Sequence, residues 1–149
     1  MKRVTALFLV LAALAACAKN QQSESSATAA ASAAATVAQN GAAASDGAKV
    51  YQTNCASCHQ AGGGGLSGSF PPLAGNAVVT GDPATVIHIV KYGLSGRLTV
   101  AGQDYNGMMP AWSQQLSNGD IATVVTYIRS AWGNKASAVS TSDVAGVSQ

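Results

Sequence analysis

Charge is scarce in this sequence. Of its 149 residues only 9% are charged and 5% aromatic, with three Cys, two His and four Pro. Eight Lys and Arg stand against six Asp and Glu, and two of the basic residues, Lys2 and Arg3, lie at the very start. Without those two the balance is six against six, so no basic stripe is present to follow a phosphate backbone, which argues against nucleic acid as a partner. A structural zinc site built on the Cys55 and Cys58 pair wants two more ligands, and outside the run Cys55 to His59 only Cys17, a lipidation candidate, and His88 remain. The only long apolar run, Val4 to Leu14, is too short for a comfortable membrane-spanning helix.

That run still has a meaning. Lys2 and Arg3, the apolar stretch and the small residues after it read as a secretory leader over residues 1–16. It ends in Leu14-Ala15-Ala16-Cys17, which resembles the lipobox of bacterial lipoproteins, where cleavage precedes the Cys and its sulfur carries a diacylglycerol. Cys17 is therefore the expected lipidation site, and the mature chain is expected to be anchored rather than spanning.

Residues 17–44 hold that Cys and a low-complexity Ala/Ser-rich stretch with almost no large apolar side chain, which reads as a disordered tether. As a flexible coil it would span about 30 Å root-mean-square, with a stretched limit of roughly 90 Å. The Ser/Ala/Val-rich residues 134–149 read as a disordered tail. Between them, residues 45–133 form one candidate domain of about 90 residues, small enough to need a staple.

Cys55-Ala56-Ser57-Cys58-His59 supplies one. C-x-x-C-H is the attachment signature of a c-type haem: two thiols add across the porphyrin vinyl groups and the adjacent imidazole binds the iron. Cys55 and Cys58 lie about one helical turn apart, which lets both reach one edge of a flat macrocycle. A thioredoxin-like C-x-x-C would need a strand before it, whereas Ala48, Tyr51 and Cys55 recur at helical spacing.

The remaining punctuation orders the domain. Ser45 is a plausible N-cap, with Asp46 in the first turn. Gly62 to Gly65 must be loop, suited to backbone passing close to a haem edge. The Phe70-Pro71-Pro72-Leu73-Ala74-Gly75 segment is a rigid extended turn, and a proline carbonyl there suits the ring N–H of the ligating His. Asp82-Pro83 opens a helix that ends at Gly93 and carries His88, a lone His among apolar residues and a weak candidate for iron. Leu94 to Asn106 reads as loop, with Arg97, Tyr105 and Asn106 as candidate donors to haem propionates. Met108 and Met109 compete as a second iron ligand. Pro110 restricts the backbone of Met109 to an extended geometry, which favours its sulfur. Ser117 to Asp120 resembles a capping box before the amphipathic stripe Ile121, Val124, Val125, Ile128 and Trp132, with Gly133 terminating the helix. Tyr127 lies at its edge, available to the first helix.

The attachment run, Pro71-x-Leu73-x-Gly75, Met109-Pro110 and the last amphipathic helix, in this order, resemble a class I cytochrome c over residues 45–133. The likeness is greatest to small cytochrome c domains serving periplasmic dehydrogenases, terminal oxidases and copper nitrite reductases. It implies an all-α fold, a small cytochrome c with about three to five helices wrapped around one covalently attached haem. It also implies haem attachment at Cys55 and Cys58, iron ligation by His59 and Met109, the Pro71 carbonyl as acceptor for His59, and a helix crossing near Gly47, Tyr51 and Tyr127. The expected function is single-electron transfer, not catalysis, by a monomer on the periplasmic side of a bacterial envelope, between redox protein partners that dock on an apolar patch around Ala56, Ala111 and Trp112. The alternative is a haem enzyme or a gas or peroxide sensor with a labile sixth ligand.

Overall fold

The computed structural model describes residues 46–149. The leader at 1–16, Cys17, the tether at 17–44 and the cap at Ser45 lie outside the described residues. The chain is helical at 46–54 (α1), Ala56–His59 (α2), Ala77–Thr80 (α3), Pro83–Tyr92 (α4), Asn118–Ser130 (α5) and Thr141–Gly146 (α6).

Capping fixes the two longer helices. The Asp82 carboxylate accepts from the backbone N–H groups of Ala84 and Thr85, Pro83 occupies the first turn, and Gly93 at φ 81° takes the C-cap of α4. Ser117 and Asp120 form a reciprocal capping box at the start of α5. The amphipathic stripe of α5 becomes the core: Ile121, Val124 and Val125 are fully buried beside Tyr51 and Ile87. The helix stops at Ser130, three residues before Gly133, and Trp132 at φ 53° lies in the turn that follows. That turn brings the indole against Tyr51 and Tyr127, with ring centroids 4.9 and 5.4 Å apart. The helices α1 and α5 touch at Gly47, where a Cβ would come within 2.8 Å of the Tyr127 Cβ.

Two expectations are corrected. The fold is mostly helical but not all-α. Leu94–Ser95 (β1) pairs antiparallel with Met108–Met109 (β4), and Leu98–Val100 (β2) with Gln103–Tyr105 (β3). The β2–β3 turn places Ala101 and Gly102 at φ 48° and 79°, the signs a tight hairpin needs, without the Asn-Gly pair that usually announces it.

Residues 134–149 are the second correction. They include α6 and pack Val139, Val144 and Val147 on the core, with Val144 fully buried, a side chain whose burial contributes about 1.5–3 kcal/mol. Long-range hydrogen bonds hold this segment. Buried Lys91 donates through Nζ to the carbonyls of Val144 (2.9 Å) and Val147, and Tyr92 donates to Val147 (3.0 Å). Buried Arg129 donates to Ser137 on one side and to Val79 and Gly81, at the end of α3, on the other.

Candidate haem site

The helical path from α1 into α2 builds the first half of the site. The Cys55 N–H donates to Tyr51 and the His59 N–H to Cys55, both at 2.9 Å, so both Cys and the His follow one another within about a turn. Gln60 at φ 63° ends that turn, and its carbonyl accepts from the buried Tyr51 hydroxyl at 2.6 Å. Burial first, and the neighbouring Cys55 next, hold that hydroxyl well above the usual tyrosine range. The two thiols are free and half-buried; burial and then Cys58 push Cys55 up to about 11. It is therefore a neutral thiol near pH 7.

His59 is 8% exposed. Its Nδ1 lies 3.0 Å from the Pro71 carbonyl oxygen. A carbonyl only accepts, so Nδ1 carries the proton and Nε2 keeps a free lone pair. Burial lowers the pKa of the ring, opposed by that same hydrogen bond, which favours the neutral imidazole a metal requires.

The Pro71 segment is clamped from behind. Leu73 and Ala74 N–H groups donate to Gly63, and Asn134 donates to Leu73 and Ile128 while accepting from Gly75. Gly63 and Gly65 are needed for protein contacts rather than for a haem edge. Cβ atoms there would strike the Trp132 indole and the Phe70–Pro71 backbone, and none of Gly62 to Gly65 lines the haem cavity.

The Met strand forms the other half. β4 pairs with β1, Leu94 opposite Met109 and Ser95 opposite Met108, and the N–H groups of Trp112 and Ser113 donate to Val90 and Lys91 at the end of α4. Met109 packs partly buried against the core, while Met108 is 78% exposed.

Cys55, Cys58, His59, Pro71 and Met109 all line one apolar cavity of about 380 Å³. Among the described residues no Lys, Arg, Asp or Glu lines it. Tyr105 does, and is buried; Arg97 instead pairs with Asp104 at 3.8 Å on the surface, and Asn106 is exposed away from the cavity. His88 is also exposed, packed edge-on to Tyr92, and does not line the cavity. The donor set fits a haem: two thiols for the vinyl edge, an imidazole with one free nitrogen, a thioether, and carbon walls. Asn134 and Gly93 also support this arrangement, and neither stands out as a site residue in the sequence. Asn134 carries no chemical signature, and the only signal at Gly93 was that of a helix end.

A family model described as cytochrome c oxidase, cbb3-type, subunit III matches residues 42–128. The chain belongs to this cytochrome c family. Family membership brings covalently bound haem c, with Cys55 and Cys58 as the pair suited to hold it. The cytochrome is 43% identical over 96 residues to cytochrome c-552 of Thermus thermophilus, covering 62% of this chain and 64% of that one. It is 41% identical over 102 residues to the cytochrome c subunit of a quinone alcohol dehydrogenase from Gluconacetobacter polyoxogenes, covering 67% of this chain and 21% of the subunit. A cbb3-type cytochrome c oxidase subunit of Azospirillum brasilense is 35% identical over 100 residues, 63% of this chain and 30% of that one. This cytochrome is thus an electron-transfer domain similar to subunits of dehydrogenases and oxidases, spanning under two thirds of cytochrome c-552 and about a fifth of the dehydrogenase subunit.

Proposed function

We propose that this protein is a periplasm-facing, lipid-anchored monohaem cytochrome that carries single electrons between redox enzymes, with His59 and Met109 as the residues that would ligate its iron. The observation that carries this reading is the placement of the Met109 side chain on the same apolar cavity as Cys55, Cys58 and His59. Bound haem supplies a one-electron ferric–ferrous couple, and Met/His ligation raises its potential into a range suited to electron transfer.

The chain's own residues do the rest. Cys55 and Cys58 would hold the macrocycle by thioether bonds. Pro71 fixes the orientation of His59 through the Nδ1 hydrogen bond, and the β1–β4 pairing holds Met109. Apolar walls without ionisable side chains other than His59, Tyr51, Tyr105 and the two Cys keep the interior poor in water. The same lining bears on the enzyme reading. Among the described residues no carboxylate and no second imidazole borders the cavity to act as a general acid or base, which favours a carrier over a peroxide-handling enzyme.

Cys17 carries the lipid and residues 17–44 serve as the tether, so the monomeric haem domain searches for partners close to a membrane. Among the described residues no helix is long and apolar enough to cross one. Partners are periplasmic dehydrogenases, oxidases or reductases, docking on an uncharged patch that includes Ala56, Ala111 and Trp112.

The test is the rate of reduction by a candidate dehydrogenase as a function of salt, with the full lipidated chain. A nearly flat dependence is expected; a steep fall at high salt, or failure to cycle by one electron per haem, contradicts the reading.

A further inference from the structure

Met108 and Met109 are consecutive on β4, and consecutive strand residues face opposite ways. Met109 packs into the core cluster, while Met108 leaves 78% of its surface exposed. It stands at the rim of the haem cavity and of a second, open hollow of about 250 Å³ bounded by Tyr92, Leu94, Pro110 and Ala111. Met109 is half-buried, and in the carrier reading its sulfur lone pair is committed to iron. Met108 has neither protection: its backbone pairs with Ser95, and its thioether is open to solvent at an apolar rim.

We propose that Met108 is a reversible oxidation site, taking one oxygen from a hydroperoxide and thereby turning an apolar rim into a polar one beside the haem. The sulfur attacks the peroxide oxygen, the O–O bond breaks, and the products are methionine sulfoxide and water, or an alcohol from an organic peroxide. The sulfur loses two electrons and the peroxide gains them. A methionine sulfoxide reductase restores the thioether: two thiols supply the two electrons and two protons, forming a disulfide, and the oxygen leaves as water. The sulfoxide is polar and chiral where Leu94 and Ala111 are apolar, so oxidation slows electron exchange with a partner that docks on uncharged surface while leaving the iron's ligands in place. This rests on the carrier reading for its consequence but not for its chemistry.

The holoprotein is treated with increasing hydrogen peroxide and followed in three ways: fragment-ion mass spectrometry that separates Met108 from Met109, the ferric near-infrared charge-transfer band, and the rate of reduction by a redox partner. The expected result is a first oxygen on Met108 with the band intact, a several-fold slower partner reaction, and recovery of both mass and rate with the reductase. Met108→Leu shows neither the first oxygen nor the slowing. A first oxygen on Met109, loss of the band with the first equivalent, or equal slowing in Met108→Leu overturns the proposal. A missing band before any peroxide is added would instead count against Met109 ligation.

Discussion

Gly93 and Met109 leave no room for a side chain between them: a Cβ on Gly93 would lie 2.5 Å from the Met109 carbonyl oxygen. The residue that ends α4 is thus also the floor under the Met strand. Its φ of 81° adds a conformational reason for glycine. Gly93→Ala combines a backbone conformation open almost only to glycine (φ 81°, ψ 177°), costing about 1–3 kcal/mol, with a clash that displaces Met109. The expected outcome is a weakened charge-transfer band in the ferric protein at a haem content equal to wild type, read by optical spectroscopy on purified material.

The crossing of α1 and α5 makes a second demand. A methyl group at Gly47 would meet the Thr123 backbone and come within 2.8 Å of the Tyr127 Cβ. Neither neighbour can rotate away, because one is backbone and the other a Cβ. Gly47→Ala is expected to destabilise the holoprotein by about 1–3 kcal/mol, measured by denaturant unfolding, with the ferric spectrum unchanged.

Lys91 is buried with carbonyl partners on and just beyond α6. Replacing it by Met keeps the stem and removes the donor, leaving the buried Val144 carbonyl with only the long 3.4 Å bond from the Val147 N–H. A loss of about 1–3 kcal/mol follows. Hydrogen exchange at residues 139–147 should rise more than at α5, while haem content stays constant.

Asp82 links stability to pH. Hydrogen bonds from the Thr85 hydroxyl, then from the Ala84 and Thr85 backbone, hold its carboxyl below the ordinary value of 3.8. A carboxyl depressed on folding contributes stability that is fully present above the unfolded value and is lost as pH falls through the folded one. Asp82→Asn keeps an acceptor at the cap and cannot titrate. Its unfolding free energy is expected to be less dependent on pH below 3.8 than that of wild type, as measured by acid-dependent denaturant melts.

What the sequence disclosed followed from how local each constraint is. Covalent attachment needs two thiols and an imidazole within one turn, so Cys55, Cys58 and His59 stand together in the chain. Helix ends are also written locally: Asp82-Pro83, Gly93 and the Ser117–Asp120 box read correctly. The hydrogen bond from His59 to Pro71 joins residues 12 apart, and the family resemblance pointed to it. Where partners are distant, the signal failed. β1 to β4 are two or three residues each, too short for alternation to register. The C-terminal segment has few large apolar residues, and its order depends on two buried cations, Lys91, whose carbonyl partner Val144 lies 53 residues on, and Arg129, which meets the Ser137 carbonyl 8 residues on. Arg97 looked like a haem-facing donor, but its side chain is 78% exposed and turns to Asp104.

The near-infrared charge-transfer band of the ferric protein, recorded for wild type, Met108→Leu and Met109→Leu, tests axial ligation most directly. Methionine-to-iron coordination through Met109 requires the band in wild type and in Met108→Leu, and its loss in Met109→Leu. A high-spin wild-type spectrum, or a band that survives Met109→Leu, would contradict it.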